Sequence, residues 1–385
     1  MLYKAADLTK GDLAKLAQLD KLRERLAYQL ANPARWTGTI RRLAKAEAAS
    51  ASTSIEGFKV SVEDAVRIIE GKSATAVNPE DKDALRCYQQ AMDRVLSLSA
   101  DPDFAWSMQL ILDLHYMTCY FQPNVGPGRI RPGAVWVNRP DGTQYEPPAA
   151  EAARPLLGEL VHSLSKPVGK VHPIVEAAMA HLNLVSIHPF KDGNGRLARI
   201  VQSLVLVLKG QLGPEFTSIE PYLAAHTPSY YKALEDVQGP RYEPTRNSLP
   251  WVRFCLDAHL AQAKALEQRL VEAYARDTFC QAICRDREWP DRMAIALDQA
   301  LLDVSVTNDD YRREADVSVA TATMDLRRLV DAGYLAPHGA GRGRDYRAAP
   351  ELEAAWRSRR NELIAEEMRR HERRSGGKQT SLSRS

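Results

Sequence analysis

The residues best suited to chemistry lie in one short stretch, residues 188–199, with the sequence HPFKDGNGRLAR. A neutral imidazole at His188 could accept a proton from an incoming hydroxyl group. A little further along, the carboxylate of Asp192 could hold a magnesium ion between two phosphate groups. The stretch therefore offers a base and a ligand for a hard cation close together.

Glycines and arginines follow directly, and both favour a bound anion. Gly193 and Gly195 flank Asn194, so the backbone can turn successive N–H groups toward one point. A helix that begins here adds the positive end of its dipole. Arg196 and Arg199 are spaced i, i+3 and project from one face, where guanidinium groups can grip phosphate oxygens in pairs. The stretch predicts a phosphoryl- or nucleotidyl-transfer site.

The elements that position this stretch are predicted to be helices. The segment MAHLNLVSI before it and the segment RIVQSLVLVL after it both have helical periodicity, which makes the stretch a loop between two helices. The same periodicity covers residues 10–31, 38–56, 61–70, 79–99, 105–120, 151–187, 195–209 and 251–284. In the first of these helices, the residues predicted to line one face are Leu13, Leu16, Leu19, Leu22, Leu26 and Leu30.

Residues 188–199 resemble the signature HPFx[D/E]GNGRxxR of the Fic family of nucleotide transferases, and every specified position is matched. That family transfers AMP from ATP to hydroxyl side chains of other proteins. The resemblance implies an all-α fold with His188 as the base and Asp192 as the Mg²⁺ ligand. It also implies ATP contacts, with the α-phosphate at the backbone of Gly193, Asn194 and Gly195, the β-phosphate at Arg196 and the γ-phosphate at Arg199.

A glutamate lies where helix chemistry disfavours it. Glu56 falls in the last turn of the predicted helix 38–56, where the negative end of the dipole opposes a carboxylate. Such a departure from a local rule marks a candidate functional residue, and a solvated surface glutamate is the alternative. Ser52-x-x-x-Glu56-Gly57 resembles the inhibitory motif [S/T]xxxE[G/N] of Fic proteins. The resemblance implies that Glu56 pairs with Arg199 and blocks productive ATP placement.

Residues 121–148 are rich in proline and glycine, and they contain one strand-like run, at residues 134–137. The dipeptide Asp141-Gly142 is a hairpin turn signal. A plain surface hairpin is one interpretation. The Fic resemblance implies instead a flap over the active site, whose strand holds the target protein by backbone pairing. Its target-binding residues are then Val135, Trp136 and Val137.

Two tyrosines and a glutamine follow the signature, in and after a predicted helix centred on SYYKALEDV. Aromatic residues on such a helix most often belong to the core. The Fic resemblance suggests that Tyr230, Tyr231 and Gln238 line the adenine pocket.

The C-terminal part has its own pattern after a polar boundary at residues 285–291. Helices are predicted at 292–303, at 308–314 and from Ser318 to Ala332, followed by a strand and a basic hairpin at 339–347. This order resembles a winged helix-turn-helix domain. The arginines suited to phosphate contacts are Arg327, Arg328, Arg342, Arg344 and Arg347. The front of the third helix has no Arg or Lys, so DNA binding, protein binding and dimer formation all stay open.

The composition sets broad limits. The chain has 385 residues, and its net charge of +3 is too small to argue for nucleic acid by itself. Five cysteines form no CxxC pair, and no run of about 18 apolar residues predicts a membrane span. We expect a cytoplasmic protein with no membrane contact.

The predicted organisation has four parts: N-terminal helices with the inhibitory motif (1–100), a Fic catalytic core (101–285), a winged helix (290–348), and a charged helix with a disordered tail (349–385). The predicted function is AMP transfer from ATP to a Ser, Thr or Tyr hydroxyl of target proteins and of the chain itself. One alternative is a Fic enzyme with another transfer or a de-AMPylation activity. Another is a nucleotide-sensing transcription regulator that binds DNA. A homodimer stays open as well.

Overall fold

A computed structural model describes residues 1–31, 34, 36–139, 142–166, 171–302, 305–339 and 344–379, with side chains as far as residue 370. Asp141 of the predicted turn and Arg342 of the predicted wing lie outside the described residues. The chain divides into two compact units. The first comprises Met1–Glu24 and Arg41–Lys264, and the second comprises Arg25–Ile40 and Ala265–Ser385. The second unit thus takes in segments outside the predicted C-terminal domain.

Four helices occupy the N-terminal part of the chain: α1 (Lys10–Ala31), α2 (Thr37–Ile55), α3 (Val62–Ile69) and α4 (Pro79–Ser99). Local chemistry sets several of their ends. The Ser61 hydroxyl accepts a hydrogen bond from the Asp64 N–H, and the Asn78 side chain accepts one from the Asp81 N–H. Both are N-caps that satisfy an otherwise unpaired amide. The predicted boundaries of these helices hold to within a few residues.

The centre of the first unit is built from α5 (Met108–Cys119), α6 (Ala150–Leu164), α7 (Pro173–Ile187) and α8 (Asn194–Leu208). Every residue of α7 from Ile174 to Ile187 except Glu176 is buried. A helix that is apolar all round belongs inside a protein, with other elements on every side. The two helices that flank the signature, α7 and α8, pack against each other more extensively than any other pair of named elements.

The helical stretch predicted at 151–187 contains two helices, α6 and α7. α7 has its own start signal. The His172 side chain accepts a hydrogen bond from the Ile174 N–H, and Pro173 occupies the first turn, where its missing N–H costs nothing. The unit is completed by η1 (Pro123–Val125), α9 (Pro214–Thr217), α10 (Glu220–Ala225), α11 (Thr227–Gln238) and part of α12 (Leu249–Asp286).

The hairpin consists of β1 (Val137–Asn138) paired antiparallel with β2 (Gln144–Tyr145). The strand predicted at 134–137 is therefore displaced, and only Val137 of the predicted run is paired. The register explains the difference, because it would place Val135 opposite Pro147, which has no N–H to donate. Glu146 instead forms a bridge with Arg241 on another segment. The partner strand ends before it could reach Val135 and Trp136.

The second unit contains α13 (Met293–Ala300), β3 (Val306–Thr307), α14 (Asn308–Ala315), α15 (Val319–Asp331), β4 (Leu335–His338), β5 (Asp345–Ala348) and α16 (Pro350–Gln379). Its antiparallel sheet has the order β3-β5-β4, and strand β3 was not predicted. The Tyr311 hydroxyl donates to Asp325 inside a core that includes Leu326 and Leu335. α16 continues past residue 374, through residues 376–379 that were expected to be disordered.

No helix in the described part of the chain is long and apolar enough to cross a membrane.

The leucines of α1 do not all share one environment, and this allows a direct stability test. Leu19 is fully buried, whereas Leu13 is 53% exposed although both were predicted on the apolar face. We expect Leu19→Ala to lower the free energy of unfolding by about 2–5 kcal/mol, because a cavity forms. Leu13→Ala should change it by less than about 0.5 kcal/mol. Urea denaturation of both variants checks this, and equal losses would contradict the fold of α1.

Candidate functional site

His188 lies at the C-terminal end of α7 in a left-handed conformation, with φ of 48° and ψ of 57°. Its Nδ1 lies 3.3 Å from the Val185 carbonyl oxygen, which can only accept, so the ring proton belongs on Nδ1. The lone pair is then on Nε2, as a general base requires. Burial lowers the pKa of His188 to about 4, so the imidazole is neutral near pH 7.

The loop after His188 is held by a second histidine, which the sequence did not identify. His115 accepts a hydrogen bond from the Gly128 N–H at Nδ1 (2.9 Å), so its Nε2–H donates to the Asp192 carbonyl (2.9 Å). Its ring stacks on Phe190 with centroids 3.7 Å apart. Burial lowers the pKa of His115 to about 4 and keeps it neutral. His115 thereby fixes the backbone that carries Asp192.

Asp192 is the one carboxylate of the signature, and its side chain is 48% exposed. Its Oδ1 accepts a hydrogen bond from the Gly193 N–H at 2.6 Å, and its Oδ2 lies 3.9 Å from Arg196 Nη2. Among the described residues, no group of three or more His, Cys, Asp or Glu side chains could hold a metal. A single accessible carboxylate fits Mg²⁺, which commonly binds one protein carboxylate, substrate phosphates and water.

The turn into α8 leaves an anion-binding helix end. The Asn194 side chain bonds both the N–H and the carbonyl of Phe190, at 3.0 and 2.9 Å, and is thereby consumed within the loop. Gly193 has a φ of 77°, and no side chain caps the helix. The first amides of α8 are therefore left to an external acceptor. Of the three predicted backbone donors, the Gly193 N–H is bonded to Asp192 Oδ1, so only the N–H groups of Asn194 and Gly195 are left for a ligand, and their contact with ATP stays a prediction.

The two arginines of the signature are buried, with exposures of 1% for Arg196 and 2% for Arg199. The Arg196 guanidinium lies 5.4 Å from the ring centre of Phe58 and 5.8 Å from that of Phe121. Within the described structure, Arg196 Nε and Arg199 Nη1 have no hydrogen-bond partner. Buried charged donors without acceptors are costly, so this geometry suits a ligand rich in acceptor oxygens.

Arg199 is bound by the end of α2. Its Nε donates to the Ser52 hydroxyl at 2.8 Å, and its Nη2 donates to the Ser52 carbonyl and to Glu56 Oε1, both at 2.9 Å. Burial is the largest single influence and by itself lowers the pKa of the Arg199 guanidinium. The charge and hydrogen bond of Glu56, together with Tyr230 and Glu220, outweigh it, so the pKa is raised. The predicted contact between Glu56 and Arg199 is present in this structure.

Glu56 also lies over the start of α8. A Cβ atom built on Gly195 would come within 2.6 Å of Glu56 Oε1. The carboxylate thus occupies the space in front of the helix N-terminus, where a phosphate would bind. The cost of a glutamate at the C-terminal end of α2 is offset by the positive end of α8 together with Arg199.

The predicted adenine-contacting residues lie in two places. Tyr230 is buried, and its hydroxyl lies 3.2 Å from His181 Nε2 in a network that continues to Gln202. Its ring centre is 5.1 Å from that of Tyr231. Gln238 donates to the Ser186 hydroxyl at 3.0 Å. The polar ends of Tyr230 and Gln238 are therefore engaged inside the protein, and their adenine role stays a prediction.

The hairpin is attached to the helix that carries the base. The Tyr145 hydroxyl of β2 donates to the Ser186 carbonyl of α7 at 2.7 Å. Val137 pairs with Tyr145, whereas Trp136 is 58% exposed. Of the predicted flap residues, Val137 is in the strand, and Val135 and Trp136 precede it.

Comparison with known proteins defines the class of this site. Residues 105–206, which include the whole signature, match the Fic/DOC family. Residues 105–206 are therefore similar to a Fic domain. Over 124 residues it is 34% identical to protein adenylyltransferase fic-1 of Caenorhabditis elegans, covering 31% of this chain and 23% of that protein. It is 35% identical over 101 residues to protein adenylyltransferase Fic of Nematostella vectensis, covering 26% of this chain and 22% of that protein.

Solved structures agree on the fold. A Fic family protein from Desulfovibrio desulfuricans matches with a TM-score of 0.59 at 21% identity, covering 90% of this chain and 99% of that one. Fic-1 from Caenorhabditis elegans matches with a TM-score of 0.53 at 22% identity, covering 66% and 71% of the two chains. The chain spans about a quarter of the length of the curated relatives named above.

The tight approach of Gly193 to α5 yields a stability prediction. A Cβ atom at Gly193 would lie 2.3 Å from Cys119 Sγ, and the left-handed φ adds about 1–2 kcal/mol for alanine. We expect Gly193→Ala to cost more than about 2 kcal/mol in the wild-type chain. In a Cys119→Ala background the same change should cost only the conformational penalty. A double-mutant cycle by denaturant unfolding checks this, and additive effects would refute the clash.

Proposed function

We propose that this chain transfers AMP from ATP to a hydroxyl group of a target protein. The observation that carries the proposal is the pair of buried arginines, each with an unpaired N–H, beside an uncapped helix N-terminus and a neutral histidine. Such a site suits a polyphosphate together with a nucleophile that must lose a proton. The relatives named as protein adenylyltransferases support the choice of ATP and of a protein target.

The chemistry at His188 is a single displacement. Nε2 accepts the proton of the target Ser, Thr or Tyr hydroxyl, and the oxygen bonds to the α-phosphorus of ATP. The bond from that phosphorus to the oxygen bridging the α- and β-phosphates breaks, and pyrophosphate leaves with the electron pair. Positioning and charge stabilisation supply most of the acceleration in such a reaction.

The charges of the site are arranged for that displacement. The backbone N–H groups at Asn194 and Gly195 receive the charge that develops on the α-phosphate, as in an oxyanion hole. Arg196 binds the β-phosphate and Arg199 the γ-phosphate. Asp192 would hold Mg²⁺, which supplies charge neutralisation across the phosphates when bound.

The hairpin is proposed to hold the target. An extended segment of the target pairs with the backbone along β1 at Val137, and exposed Trp136 supplies an apolar contact next to it. This mode uses backbone atoms, so it accommodates targets of different sequence. The same reasoning covers a segment of the chain itself.

A second candidate role belongs to the C-terminal unit. Its order of α13, β3, α14, α15, β4 and β5 with a small antiparallel sheet resembles a winged helix. Val319, Met324 and Arg327 on α15 are exposed. This mixed face suits a protein or a DNA partner, and in a transcription regulator the Fic domain would sense nucleotide. A gel shift with genomic fragments, beside incubation with labelled ATP, separates the enzyme from the regulator.

The assigned base gives the first functional prediction. In a Glu56→Gly background, His188→Ala should reduce self-labelling with radioactive ATP by about 10²–10⁴-fold, the usual contribution of general base catalysis. ATP affinity measured by calorimetry should stay within about twofold, because the imidazole acts on the hydroxyl. Since the pKa of His188 is lowered to about 4, labelling should be insensitive to pH above about 5 and fall below it. Labelling by the His188 variant at the parent rate would refute the assignment.

The inhibitory contact gives the second. Glu56→Gly should raise labelling by roughly tenfold or more, because a charge-assisted Arg–carboxylate bond of about 1.5–3 kcal/mol no longer competes with the γ-phosphate. Arg199→Ala in that background should remove the gain. Glu70→Gly is the matched control, since Glu70 also ends a helix before a glycine with positive φ but pairs with Lys72. Equal labelling by the Glu56 and Glu70 variants would contradict inhibition.

A further inference from the structure

Arg131 is an arginine of the loop before the hairpin, and it is only 4% exposed. Its three guanidinium nitrogens each donate to a backbone carbonyl. Nε bonds His188 at 2.8 Å, Nη1 bonds Gly133 at 2.8 Å, and Nη2 bonds Pro148 at 2.5 Å. Among the ion pairs within the described residues, none includes Arg131. Three carbonyls, and no carboxylate, thus hold this buried cation.

The three carbonyls belong to the parts of the site that must meet during transfer. Gly133 and Pro148 stand at the two ends of the hairpin, before β1 and after β2. His188 is the proposed base. The backbone N–H of Arg131 also donates to the Pro189 carbonyl at 2.9 Å. One residue therefore connects both ends of the hairpin to the backbone on either side of the His188–Pro189 bond.

The bond to His188 also supports an unfavourable backbone conformation. A left-handed φ on a residue other than glycine costs about 1–3 kcal/mol and persists only where the surroundings impose it. The carbonyl that Arg131 binds lies at the negative end of the α7 dipole, where a cation is stabilised. A planar guanidinium with fixed donor directions determines angles as well as distances, which a lysine cannot do.

We propose that Arg131 is a positioning residue that sets the distance between the target-binding hairpin and the base. A target segment paired along β1 then presents its hydroxyl oxygen to His188 Nε2 without a separate closing step. This inference rests on the proposed function for its role in catalysis. The hydrogen bonds of Arg131 to His188, Gly133 and Pro148, called the clamp below, can be tested without measuring turnover.

The geometry predicts a difference between charge and shape at position 131. Arg131→Lys keeps the positive charge but cannot form all three hydrogen bonds to the carbonyls. In the Glu56→Gly background, it should reduce the maximal rate of self-labelling by about 10–100-fold, the effect of a misplacement near one ångström, with ATP affinity unchanged. Arg139→Lys is the matched control, because Arg139 lies in the hairpin directly after β1, and its side chain donates to one carbonyl, that of Gly239, at 2.6 Å. It should lose no more than about twofold.

Charge is tested by Arg131→Gln. Three charged side chains act on the His188 imidazole, namely Arg131 from the loop before the hairpin, Asp192 from the signature and Glu56 from the end of α2. The Arg131 cation lowers the pKa of His188, so its loss should move the acid limb of the labelling profile to higher pH. The Lys variant should not move it. Arg129→Gln, which removes an exposed charge two residues away, is the control for net charge.

Hydrogen exchange completes the test and separates the two proposals. Amides of residues 133–138 and 144–146 should exchange faster in Arg131→Lys than in Arg139→Lys, with equal unfolding midpoints. If the Glu56→Gly parent does not label at all, AMP transfer fails, and the exchange result alone decides the clamp. Equal exchange in the two variants, or a parallel loss of ATP affinity and labelling in Arg131→Lys, would overturn the inference.

Discussion

A buried guanidinium needs an anion to balance its charge, and in this site that constraint falls above all on Arg199. It lies behind the N-terminus of α8, so its charge adds to the positive end of that helix. Glu56 supplies the carboxylate and Ser52 supplies two oxygens, all within 2.9 Å. The end of α2 is thereby tied to the start of α8. Any polyphosphate that enters this space must compete with a side chain of the protein itself.

Two kinds of element surround this contact: tightly packed helices, and a hairpin that side chains attach to them. α7 and α8 are buried almost throughout. The end of α7 carries the proposed base, and the start of α8 carries the proposed anion site. The hairpin has little sheet of its own, since two residues pair on each side. Its position is set by side chains that reach from it to α7, above all Tyr145 and Arg131. The packed helices therefore position the proposed catalytic groups. Among the described residues, the outer edge of β1 is left for a target segment to pair with.

Sequence reasoning located the features encoded by adjacent residues. The signature from His188 to Arg199 was readable because spacing along a helix fixes which groups meet. The pairing of Glu56 with Arg199, 143 residues apart in sequence, was implied only by the resemblance of Ser52–Gly57 to an inhibitory motif. The position of β1 was not, because it depends on Pro147 and on the bridge from Glu146 to Arg241. His115 and Arg131 act through carbonyl groups distant in sequence, and backbone acceptors leave no mark on residue type. These contacts follow from tertiary packing, which periodicity does not specify.

The proposed inhibition and the stability of the fold depend on the same carboxylate, that of Glu56. Without Glu56, Arg199 keeps the two oxygens of Ser52 but loses the carboxylate bonded to it, and removing one partner of a buried ion pair typically costs about 3–5 kcal/mol. The γ-phosphate can restore that charge balance, whereas water reaches the buried guanidinium poorly. Part of the stability that the fold loses without Glu56 would therefore be regained when the nucleotide binds. Under the proposed function, a site built this way favours self-inhibition in the empty protein, because the carboxylate that would block ATP also stabilises the unliganded fold.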